Sequence, residues 1–122
     1  MMVHELTHIW QFVNWNDNEV EKIYKMPTPQ QTALALDLVY EGMAVWASIQ
    51  YLYQVGESYY ATQQETVLER REDAYGIGYR MYCERYPLRK DCSVLKSTPF
   101  GGVPTLEPDD VRSVVMAIFG EG

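Results

Sequence analysis

At 122 residues the chain is one domain's worth of polypeptide, or part of a larger domain, and 47% hydrophobic residues is enough for a real core, which argues against disorder. The formal net charge of −7 argues against nucleic acid or an anionic membrane as partners through a basic patch. No basic stretch precedes an apolar run at the N-terminus, so no signal peptide is read there, and no apolar run approaches the roughly 20 residues of a membrane span. The compartment stays open.

Residues 1–15 carry apolar side chains at Leu6, Ile9, Trp10 and Val13, which is helical spacing. Residues 14–18 read as the frayed end of that helix and a loop. A second helix is predicted from Thr28, a good N-cap. Pro29 suits its first position, and Gln31 completes a capping box. It should run to about Val55, with Gly56 as its stop. Its apolar stripe reads Leu34, Leu38, position 41, Val45, Ile49 and Leu52, and position 41 is a glutamate.

A third helical segment spans residues 58–86 and ends at Pro87. Leu68, Tyr75, Tyr79, Tyr82 and Tyr86 line one face of it, and a kink or break is expected at Gly76 and Gly78. Residues 89–104 read as loop, most flexible at Ser-Thr-Pro-Phe-Gly-Gly. A short helix closes the chain, with Pro108 near its start, Asp109 and Asp110 in its first turn, and Gly120 as its stop. Cys83 and Cys92 form no C-x-x-C pair; two idle thiols or a disulfide both fit. Trp10, Trp15 and Trp46 read as packing residues. There is no convincing strand, so the expected class is mainly α, a single unit over residues 1–122.

The chemistry concentrates in the first segment. His4 and His8, the chain's two histidines, flank Glu5 in His-Glu-Leu-Thr-His. On a helix, residues four apart project from one face, so both rings can reach a single Zn²⁺ at about 2.0–2.1 Å. Glu5 lies about 100° round the helix, too far to chelate comfortably but placed to take a proton from an activated water. H-E-x-x-H fixes only three positions and also occurs by chance. Glu41 strengthens it, because a carboxylate on a buried stripe is costly without a cation, and no Lys or Arg lies between Lys25 and Arg70; a glutamate at a helix edge with its head in solvent is the alternative. Two imidazoles and one carboxylate leave a zinc position open for water. Asp37, one turn before Glu41, reads either as a carboxylate holding a ligand imidazole or as a solvated residue.

"HELTHIW", "VYEGMAVW", "YGIGYR" and "YPLRK", in that order, resemble the gluzincin peptidases. They resemble most the peptidase domain of the plant growth-regulating, ubiquitin-activated LIM-domain peptidases (the DA-one family) and its bacterial relatives. The similarity covers about residues 4–95. It implies zinc bound by His4, His8 and Glu41, Glu5 as base, and hydrolysis of a peptide or protein substrate. Related peptidases often place a Tyr or His near the oxyanion; no histidine is left over, so Tyr75 or Tyr79 is the candidate, with Tyr79 taken first, while the tyrosine stripe also reads as plain core. Two cysteines are too few for a LIM domain, so the ubiquitin link is not carried over. In zincins a small sheet precedes the motif helix. The chain is therefore expected to be the helical C-terminal portion of a zincin-like domain, lacking the N-terminal sheet or needing a partner domain. A non-catalytic helical zinc-binding or interaction module, a remnant of such a peptidase, is the alternative.

Overall fold

Thr28 starts the helix around which the other helices pack. Its hydroxyl accepts from the Gln31 N–H and the Gln31 side chain accepts from the Thr28 N–H, both at 3.2 Å, so the predicted capping box is formed. The computed structural model describes residues 2–90 and 106–120, and all elements among them are α-helices. These are α1 (Met2–Asn14), α2 (Asp17–Ile23), α3 (Pro29–Gln54), α4 (Ser58–Arg70), α5 (Ala74–Arg85) and α6 (Pro108–Ile118). The mainly-α expectation holds for these residues.

The central helix α3 is not the amphipathic helix its stripe suggested. Leu38, Val45, Ile49 and Leu52 are buried as expected, but so are Ala35, Val39, Met43, Ala44, Trp46 and Tyr53 on its other sides. A helix packed by neighbours all round has no polar face to reveal by periodicity. By length and composition α3 would also pass for a membrane span, which corrects the expectation that no segment approaches one. Its apolar window is 56% buried under the other helices, the position of a core helix.

Three further expectations change. Residues 17–18 are not loop: Asn16 caps α2 by accepting from the Glu19 N–H, and Trp15 and Val20 are buried. The third segment does break, but at residues 71–73 and not at the glycines. Asp73 caps α5, its carboxylate accepting from the Gly76 N–H at 3.1 Å. Gly78 then serves a helix crossing. A Cβ on Gly42 would stand 2.6 Å from the Gly78 carbonyl carbon, and one on Gly78 would stand 2.6 Å from the Leu38 carbonyl oxygen. The backbones of α3 and α5 touch there with no side chain between them.

The closing helix α6 forms as expected, seated by Val111 and Val115 and by a hydrogen bond from the Tyr24 hydroxyl to the Leu106 carbonyl at 2.6 Å. Trp46 packs in the core and its indole N–H donates to the Tyr86 carbonyl at 2.8 Å. Trp15 packs edge-on to Tyr40 and to the partly buried Trp10. Most of the expected loop at 89–104 lies outside the described residues, as does Cys92, one half of the possible disulfide.

Candidate metal centre

His4 and His8 leave α1 one turn apart, with ring centroids 4.7 Å from each other. Glu41 reaches the same point from α3, across the α1–α3 packing contact. His4 Nε2 lies 3.0 Å from His8 Nε2, and Glu41 Oε1 lies 3.3 Å from the first and 2.5 Å from the second. The three side chains are 20%, 33% and 21% exposed, so the cluster is shielded yet reachable from solvent. Among the described residues, no Lys or Arg pairs with Glu41.

What surrounds the cluster decides what these contacts are. The Gln11 amide nitrogen donates to the Tyr40 carbonyl at 3.0 Å, and its oxygen lies 2.8 Å from His8 Nδ1. A carbonyl can only accept, so the NH₂ end of Gln11 must face Tyr40 and the oxygen must face the ring. Nδ1 of His8 therefore carries a proton, and in the neutral imidazole Nε2 is a bare lone pair. That lone pair is aimed at Glu41 Oε1, itself an acceptor. Buried Glu41 Oε1 accordingly finds no hydrogen bond although two ring nitrogens crowd it.

Converging lone pairs are the chemistry of a cation site. Three donors on one tetrahedral ion with bonds of about 2.0–2.1 Å stand roughly 3.3 Å apart. Two edges of the observed triangle are close to this, and the third is shorter, where a cation would relieve the His8–Glu41 repulsion. The donor set fits zinc, and equally other divalent ions that accept imidazole and carboxylate.

Glu5 is exposed on α1 beside His4, outside the triangle. Asp37 is exposed and holds no imidazole; partial burial and the Glu41 charge one turn away push its carboxyl upward. The imidazole is held by Gln11, which sequence reasoning missed. The two tyrosines divide. Tyr79 is not at this cluster: it is buried, and its hydroxyl donates to Glu65 at 3.0 Å. Tyr75 is, with its ring stacked on His4 at 6.0 Å and 20°. The Glu41 carboxylate, within hydrogen-bonding reach of the Tyr75 hydroxyl, raises that phenol's pKa and keeps it protonated as a donor. Arg71 lies 5.1 Å above the same ring, its guanidinium paired with Asp73.

A cleft of about 200 Å³ opens beside His4, with Val45, Ile49 and Leu68 as its apolar wall and Arg71 and Tyr75 at its rim. Comparison with family models, with curated proteins and with solved structures finds no match to this chain. The reading of the site rests on its own geometry.

Proposed function

We propose that this chain carries the catalytic helices of a zinc-dependent metallopeptidase, the zincin-like reading that the gluzincin resemblance implies. One observation carries it: two histidines of α1 and a glutamate of α3, far apart in sequence, bring three ligand atoms to one point, with no Lys or Arg among the described residues paired to them. His4, His8 and Glu41 would hold the metal. When bound, the ion polarises a substrate carbonyl and makes water acidic enough to ionise near neutral pH.

The chain's own residues do the rest. Glu5, exposed and next to a ligand, accepts the proton of the attacking water and returns it to the leaving amine. Tyr75, held protonated, donates to the oxygen on which negative charge develops, a contact that contributes about 2.7–4 kcal/mol where measured in other enzymes. The cleft beside His4 has room for one apolar side chain of a peptide substrate.

The test is Glu5→Gln. Hydrolysis of an unfolded protein should fall by about 10²- to 10⁴-fold while metal content per chain is unchanged. Loss of metal in this variant would show Glu5 to be a ligand. Metal bound tightly by the parent chain without turnover would leave the non-catalytic zinc-binding module as the better reading.

A further inference from the structure

We infer that Gln11 is the positioning residue of this centre: its amide selects the tautomer of His8 and fixes that ring to the turn of α3 that carries Glu41. The inference rests on the reading of His4, His8 and Glu41 as a metal centre, but its first readout needs no metal.

Gln11 is 1% exposed, which is rare for a glutamine and costly unless both ends of the amide are bonded. Both are. One end meets His8 at 2.8 Å and the other the Tyr40 carbonyl at 3.0 Å, with Met43 Sδ 3.6 Å from the amide nitrogen. Tyr40 directly precedes Glu41, so a single side chain joins a ligand on α1 to the backbone adjoining a ligand on α3. Tyr40 is itself anchored, its hydroxyl donating to Asp17 at 2.7 Å and its ring packed edge-on against Trp15. The chain Asp17, Tyr40, Gln11, His8 therefore runs from α2 through α3 and α1 to the donor cluster.

Two consequences follow. The imidazole is held with Nδ1 protonated before any ion arrives, so Nε2 is presented without a tautomer change. The rotation of the ring is also fixed, because the hydrogen bond and the donor direction lie on opposite sides of it. Partners in this position in metal proteins contribute about 10- to 100-fold to affinity.

The experiment uses the whole chain. With only two histidines, ¹⁵N spectra of the metal-free protein at alkaline pH, where imidazoles are neutral, assign both rings. The parent chain should show His8 protonated on Nδ1. Gln11→Leu should move that proton to Nε2 and weaken zinc binding by about 10- to 100-fold. Gln11→Glu, which keeps an acceptor toward the ring but loses the donor to the Tyr40 carbonyl, should keep the Nδ1–H tautomer and recover only part of the affinity. Met43→Leu, which alters packing beside the amide but no acceptor, should change neither. A parent protein with His8 protonated on Nε2 overturns the inference, whether or not Gln11→Leu folds. So does a folded Gln11→Leu that keeps the parent tautomer or the parent affinity. A parent chain with the expected tautomer that binds no zinc would sink the metallopeptidase reading and leave the positioning of His8 standing.

Discussion

Two glutamates sit half-buried on neighbouring helices, and their surroundings are opposite. Glu65 on α4 is met by donors: the Tyr53 hydroxyl, the Tyr79 hydroxyl at 3.0 Å and the Lys90 ammonium at 3.5 Å. Glu41 on α3 is met by two ring nitrogens, that of His8 with its hydrogen on the far side of the ring, and by the Tyr75 hydroxyl, yet its inner oxygen is unbonded. The two are similarly shielded, at 14% and 21% exposure, so burial alone does not separate them. The distinction is the polarity of the partners. A carboxylate ringed by donors is complete and ties elements together; one whose inner oxygen finds no donor can take a cation.

Replacing each glutamate by leucine sharpens that contrast. The largest effect is expected at Glu41: Glu41→Leu should weaken zinc binding by roughly 1,000-fold, about 4 kcal/mol, beyond the 10–100-fold that an outer partner contributes. In the metal-free protein the same change should raise the melting temperature, since leucine completes the stripe between Leu38 and Val45 for about 1–2 kcal/mol. A variant that melts lower without metal, or binds zinc as tightly as its parent, would erase the difference between the two sites.

Glu65→Leu should do the reverse. It leaves two phenols without their Glu65 acceptor, and with about 1–3 kcal/mol for each abandoned buried group, a loss of about 2–6 kcal/mol is expected in urea unfolding. That loss should be the same with and without zinc. A zinc-dependent loss would show that the two regions communicate.

The smallest effect lies at the joint between α4 and α5. The Arg71 guanidinium, and after it the Gly76 N–H, hold the Asp73 carboxyl below its ordinary 3.8. A lowered carboxylate stabilises the fold above its unfolded value and loses that contribution as pH falls through the folded value. Asp73→Ala should therefore cost about 1 kcal/mol near neutral pH, the usual worth of an N-cap. The gap to the parent should close progressively below pH 3.8. A difference constant down to the acid transition would mean that the cap acts without its charge.

Much of this was legible beforehand where the physics is local. The capping box at Thr28, the stop at Gly56 with φ +83°, and the closing helix from Pro108 to Gly120 each depend on residues within a few positions. So does the His4–His8 spacing. Glu41 was legible as an anomaly, a charge in an apolar stripe, although its distance to the rings was not. The misses are non-local or compete with a stronger local signal. Gly76 and Gly78 drew the expected break toward themselves, whereas Asp73 starts the new helix upstream and Gly78 answers to α3. The seven residues of α2 carry too short a pattern to register. Gln11 bonds a backbone carbonyl on another helix, which no sequence pattern marks. Tyr75 and Tyr79 share a face of α5, and only the position of α3 assigns one to Glu41 and the other to Glu65.

The contact of Gly42 with Gly78 has a mechanical consequence. With backbone against backbone, no side-chain rotation can take up or release slack at that crossing, so α3 and α5 behave as one rigid bar. Glu41 and Tyr75 both ride on that bar, and their spacing is set by it. The two histidines ride on α1, which is joined to the bar by side-chain packing and by the Gln11 bridge. The donor triangle thus straddles the more compliant of the two joints. An ion seated in it would act as a rivet between a fixed part and a movable one, and stripping the ion should loosen α1 first.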